Sequence, residues 1–143
     1  MGGAILIGSR ATASITGASF NKNRASTGGA VYASKDISIT ETVFEGNDAK
    51  WGGAVFASKK LTLKNSSLKN NNVASAGGAL YLQGGADINK TNFIENTADR
   101  NGGAIYIKKG DSNITECEFT KNGIQAIFID HDDNGITKIS DTK

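Results

Sequence analysis

The sequence predicts an all-β chain, a right-handed parallel β-helix (solenoid) with five full rungs of about 25 residues and a partial sixth, and three observations carry that prediction. The triplet Gly-Gly-Ala opens at Gly2, Gly28, Gly52, Gly77 and Gly102, at spacings of 26, 24, 25 and 25 residues. Each unit closes on a large apolar residue with asparagine three places later: Phe20 with Asn23, Phe44 with Asn47, Leu68 with Asn71, Phe93 with Asn96, and Phe119 with Asn122. Between the two, apolar and polar residues alternate with period two, as they do on a half-buried strand.

The first strand of each unit follows the glycines, where the tetrads AVYA, AVFA, ALYL and AIYI are rich in β-branched and aromatic residues. The second strand is the alternating stretch, Ile37 and Ile39 against Ser38 and Thr40, then Leu61 and Leu63 against Thr62 and Lys64. The third surrounds the closing Phe. Glycine, asparagine and threonine within every unit oppose helices, and no 3.6-residue apolar stripe is present. Stacking at ~4.8 Å per rung gives a rod roughly 25–30 Å long.

The sixth unit begins without glycines. Aligned without gaps on the fifth, residues 126–129 fall on 104–107, and Ile136-Thr137 falls on Ile114-Thr115. Three columns should then run up the interior. One reads Ile15, Ile39, Leu63, Ile88, Ile114, Ile136; a second reads Phe20, Phe44, Leu68, Phe93, Phe119. The third, mostly small, reads Ala18, Thr42, Ser66, Thr91, Cys117, Ile139, and makes Cys117 a packing residue rather than a nucleophile.

Physical chemistry assigns the repeated ends to the backbone. Gly28-Gly29-Ala30, Gly52-Gly53-Ala54, Gly77-Gly78-Ala79 and Gly102-Gly103-Ala104 suit positive φ or close approach of a neighbouring coil. The closing asparagines suit a left-handed turn and an amide ladder along the axis.

Composition narrows the partners. Apolar residues make up 38% of the 143, with 18 glycines, no proline and a net charge of +2, so the core is thin and no global charge favours nucleic acid. Cys117 is the single cysteine, which precludes an intramolecular disulfide. No apolar run reaches the ~20 residues of a transmembrane segment. Gly2 already belongs to the repeat, with no signal peptide before it, so the expectation is one β-helix domain that is a segment of a longer protein.

Repeated GGA followed by Ile, Leu or Val, alternating with Phe-x-x-Asn, resembles the passenger domains of chlamydial polymorphic membrane proteins and related adhesin-like surface proteins. The resemblance covers Gly2 to Asn122 and, more loosely, the chain to Ile139. It implies an extracellular or cell-surface β-helix that attaches to a host-cell or surface protein or glycan, with adhesion linked to the same tetrapeptides. Leu68 in place of Phe and the missing glycines of the sixth unit depart from the pattern.

Candidate contacts lie mainly off the motif. The segments between Asn and the next glycines (RAST, DAKW, NVASA, TADRN) vary most and read as loops on a rigid rod, where recognition is usually placed. Trp51 among them is either a contact residue or a cover over a sheet end. Arg10, Lys35, Lys59, Lys60, Lys108 and Lys109 mark the first turn of successive rungs. They form either a cationic ridge for sulfated or sialylated glycans or a set of solvated lysines, interrupted at residues 83–85 and ending in Asp130 to Asp133.

Asp130, Asp132, Asn134 and Asp141 have the spacing of a calcium loop, with Gly135 at its sixth position; a solvated turn is the favoured reading, with His131 part of it. A second alternative, a polysaccharide-active β-helix enzyme, needs clustered carboxylates; the column Thr16, Thr40, Lys64, Asn89, Thr115, Thr137 holds no acid, so catalysis is not expected. Uncapped coils at both ends make end-to-end self-association into filaments the alternative to attachment.

Overall fold

In the computed structural model, which describes residues 1–132 and 134–143, the chain winds as the repeat predicts. Strands Ile5–Ile7, Val31–Ala33, Val55–Ala57, Leu80–Leu82, Ile105–Ile107 and Ile127–Ile129 stack as the first parallel sheet. The second sheet comprises Ala13–Thr16, Ile37–Thr40, Leu61–Lys64, Ala86–Asn89, Ser112–Thr115 and Thr137–Ser140. The third comprises Ser19–Asn21, Val43–Glu45, Ser67–Lys69, Asn92–Ile94 and Glu118–Thr120. Among the described residues every strand pairing is parallel and joins one rung to the next, and no strand pairs within its own turn.

Three segments expected to be loops are strands instead. Asp48–Trp51, Asn72–Ala76 and Thr97–Ala98 form a short fourth sheet along the middle of the rod. Ala49, Val73 and Ala98 are buried in a small cluster of their own, Ser75 and Ala76 are buried as well, and the side chains between them vary. The backbone groups pair with neighbouring coils whatever the outward residue.

Inside, the side chains stack in columns. Ile39, Leu63, Ile88 and Ile114 are buried in one file, and Phe44, Leu68 and Phe93 in another. Phe20 stacks on Phe44 with centroids 5.0 Å apart, and Phe93 on Phe119 at 4.8 Å. Leu68 fills the gap between the two pairs without exposure.

Asparagines form the second internal support. In Asn23, Asn47, Asn71 and Asn96 the side-chain Nδ2 donates to Oδ1 of the asparagine one rung on, at 3.0, 2.9, 2.9 and 3.0 Å. The backbone N–H of each donates to that same oxygen. The Nδ2 groups of Asn47, Asn71, Asn96 and Asn122 also donate to the carbonyls of Phe20, Phe44, Leu68 and Phe93. These amides are thus satisfied inside the coil, the condition under which a buried polar group stabilises.

The expected left-handed turn falls one residue before the asparagine, at Lys22, Gly46, Asn70, Glu95 and Lys121, all near φ 50–65°. The asparagine is there for its amide, and the corner itself accepts lysine and glutamate.

The two opening glycines divide the work expected of them. The first takes positive φ, as Gly77 does at 71°. The second lies under the next coil: a Cβ on Gly78 would strike the carbonyl oxygen of Gly103 and come within 2.7 Å of the Thr97 oxygen.

Registration of the sixth coil differs from the gapless alignment. Ile139, not Ile136, pairs with Ile114, and Ser140, not Thr137, pairs with Thr115. Thr142 takes the position expected for Ile139, its Oγ1 accepting the Cys117 N–H at 3.5 Å. The chain reaches residue 126 four residues early and then spends seven residues, 130–136, where the fifth coil spends four, 108–111. Ile136 ends that longer segment 60% exposed, with its N–H donated to Asp111.

Candidate functional site

The repeated residues are consumed by the fold. Gly53, Gly78, Ala54, Ala79, Phe44, Leu68, Phe93, Asn47, Asn71 and Asn96 are buried, so no outside molecule touches their side chains while the rod is wound. Cys117 is buried too, with Sγ 3.2 Å from the Thr115 carbonyl, and burial pushes its thiol above the usual range. Its neighbours Thr42, Ser66, Thr91 and Thr142 each donate a hydroxyl to the carbonyl two residues back, so the thiol occupies a hydroxyl's place.

The outer face of the first sheet holds a feature that sequence reading missed. Tyr32, Phe56, Tyr81, Tyr106 and Phe128 point outward and stack as one column, with centroids 5.3, 4.9, 4.8 and 5.4 Å apart. The signal was present in the alternation: Val31 and Ala33 face in, so Tyr32 between them must face out. Mutual stacking and Ala76 hide the middle rings almost completely.

Trp51 packs against that column and remains partly exposed. The Lys50 ammonium lies 4.4 Å from the Trp51 ring centroid. Met1, Thr27, Tyr32, Trp51, Phe56, Tyr81 and Gln83 surround an open groove of about 380 Å³ beside it.

The cationic residues do not form one continuous ridge. Lys60 is turned to Asp87 at 2.7 Å, and the hydrogen bond and charge of Asp87 raise its pKa. Lys108 is turned to Asp132 at 3.9 Å. Arg10, Lys35 and Lys59 have no ion pair among the described residues and together line a cleft of about 440 Å³ with Ser9, Ala11, Thr12 and Asp36. Lys109 is exposed at the far end. Asp133, part of the expected acidic end of the ridge, lies outside the described residues.

The four residues with calcium-loop spacing are separated. Asp130 accepts the Tyr106 hydroxyl at 2.6 Å, and Asp132 faces Lys108. Asn134 lies at φ 60°, and Asp141 occupies a left-handed corner beyond the strand Thr137–Ser140. His131 meets Thr137 at 2.8 Å. Among the described residues no three His, Cys, Asp or Glu side chains are placed to hold one metal ion.

Acidic side chains do meet on the second sheet, which reading a single outward column overlooked. Asp87 and Asp111 share a groove of about 310 Å³ with Lys60, Asn113 and Lys138. Both carboxylates are engaged, Asp87 by Lys60 and Asp111 by the Ile136 N–H at 2.8 Å. No helix among the described residues is long and apolar enough to cross a membrane.

Compared with known proteins, residues 1–142 match a family model described as a right-handed beta helix region. Neither the curated proteins nor the solved structures include a match to the chain.

Proposed function

The chain belongs to the right-handed β-helix family, and we propose that within it this is a non-catalytic, extracellular attachment module: a stiff rod that holds a variable face away from a cell surface. One observation carries the reading. The GGA and Phe-x-x-Asn residues repeated from coil to coil are internal in the middle coils, whereas residues outside them, Trp51, Arg10, Lys35 and Lys59 among them, reach the surface. That division is what a presenting scaffold requires, because recognition can then change without disturbing the stack. The GGA and Phe-x-x-Asn pattern supports the finer reading, a relative of the chlamydial polymorphic membrane protein passengers. In this reading attachment uses residues outside the tetrapeptides, because the tetrapeptides are internal.

Beads coated with the chain should adhere to cultured cells more than albumin-coated beads do, and Trp51→Ala should reduce adhesion severalfold while the chain keeps its β circular-dichroism spectrum at the assay temperature. Adhesion no better than albumin's across cell types would overturn the proposal.

A second reading has its own observation. The terminal rungs expose apolar strand residues, Leu6 at 55%, Ile129 at 41% and Ile139 at 47%. A second copy stacked on the end would cover them and pair the open backbone. Sedimentation across a concentration series tests this, and a strictly monomeric species removes it.

A further inference from the structure

We infer that the cleft at the first corner of the first three coils binds a linear sulfated glycan, with Arg10, Lys35 and Lys59 as its sulfate-binding residues; the inference rests on the attachment reading and gives it a ligand class. Three cations come from three successive coils, so their positions climb the rod by about one rung spacing, ~4.8 Å, at a time. That step is close to the length of one sugar residue in a linear chain, so a glycan lying along the axis offers one residue per rung. Asp87 and Asp132 hold Lys60 and Lys108 nearby, while Arg10, Lys35 and Lys59 keep their charge for a ligand. The ridge is thereby confined to a three-cation cleft.

The other lining groups choose among polyanions. Asp36 gives one carboxylate oxygen to the Lys60 N–H at 3.1 Å, and its second oxygen can accept a hydrogen bond. A carboxylate inside a cationic cleft repels a bare phosphate chain but accepts from a sugar hydroxyl, and Ser9 and Thr12 add hydroxyls of their own. Three cations are also few for the alternatives. Strong nucleic-acid binders make roughly 6–10 phosphate contacts, and anionic bilayers are held by clusters of about 4–8 basic residues.

The test is titration calorimetry with a size-defined heparin hexasaccharide in ~50 mM salt, a condition that leaves surface electrostatics weakly screened. Saturable binding is expected, weakened about tenfold by Lys35→Ala or Lys59→Ala and lost in the Arg10→Ala/Lys35→Ala/Lys59→Ala variant, as for loss of a charged hydrogen bond. Lys60→Ala/Lys108→Ala should bind as the wild type, and all variants should keep its melting temperature. No saturable binding, equal loss in the Lys60/Lys108 control, or equal affinity for the desulfated hexasaccharide, single-stranded DNA or anionic vesicles would each overturn the assignment. Cell adhesion that persists in the triple variant defeats the cleft alone; hexasaccharide binding without adhesion defeats the attachment reading alone.

Discussion

The middle coils and the sixth coil fold against the same columns but keep their period by different means. Coils two to five carry a glycine pair whose second member lies flat under the next coil, and their buried asparagines tie each rung to its neighbours. The sixth lacks the pair, and Gly103 instead meets the lone Gly123 beneath residues 124 and 125. Its strands still pair, but four residues vanish before position 126 and three extra appear in 130–136, leaving Ile136 facing water while Ile139 joins the Ile114 file on the open last rung. Apolar alternation is therefore enough to pair a coil, whereas the glycines and asparagines set where each coil begins.

The largest break in that comparison should come from the second glycine. On Gly78 a Cβ has nowhere to go, because carbonyl oxygens of Gly103 and Thr97 surround it and backbone cannot give way as a side-chain end can. Gly78→Ala should cost about 4 kcal/mol or more, if the chain winds at all. Around Gly123 the nearest atoms are 3.5 Å away, so Gly123→Ala should stay within about 0.5 kcal/mol. Urea midpoints of the two variants decide it, and equal losses would mean that the pair does not set the rung spacing.

The asparagine ladder should come second. Asn71→Ala takes the acceptor from the buried Asn47 N–H, leaves Asn47 Nδ2 with the Phe20 carbonyl alone, and removes a donor from the Phe44 carbonyl, at a cost of about 2 kcal/mol. Asn23, at the first rung, only donates to Asn47, so Asn23→Ala strands no donor and should cost about 1 kcal/mol. Matching denaturation curves would show the ladder to be decoration on a fold held by the apolar columns.

These contrasts also explain what could be read from sequence. Residues fixed by an internal requirement recur at every rung, so Phe44, Asn47 and Gly53 announced the fold, its strands and its columns without a structure. The outer column Tyr32–Phe56–Tyr81–Tyr106–Phe128 obeys the same stacking, but it lies where polar residues are expected, and its regularity was read only as strand propensity. The fourth sheet was hidden because its constraint is on backbone, which leaves little side-chain signature beyond small buried residues such as Ala49, Ala76 and Ala98. Ion pairs such as Lys60–Asp87 join residues 27 apart, a step the columns do not share, so the division of the cationic ridge had to come from coordinates.

The smallest effect should arise where the fifth and sixth coils meet on the outside. Tyr106 donates its hydroxyl to Asp130 at 2.6 Å while its ring stacks between Tyr81 and Phe128. Since Phe56 and Phe128 hold equivalent places, Tyr106→Phe keeps the column and loses only that hydrogen bond, about 1 kcal/mol at neutral pH. Burial, then the bond to Asp130 and its charge, raise the Tyr106 pKa well above that of a free phenol. A raised phenol binds its proton more tightly in the folded chain, so its contribution is complete below the unfolded value near ~10 and declines as pH rises past it. Wild-type stability should therefore fall faster than that of Tyr106→Phe above pH ~10, and the two curves should converge. Curves that stay parallel through that range would mean the Asp130 contact does not hold the sixth coil, leaving its attachment to the strand pairing of Ile127–Ile129 and the ring stack of Phe128.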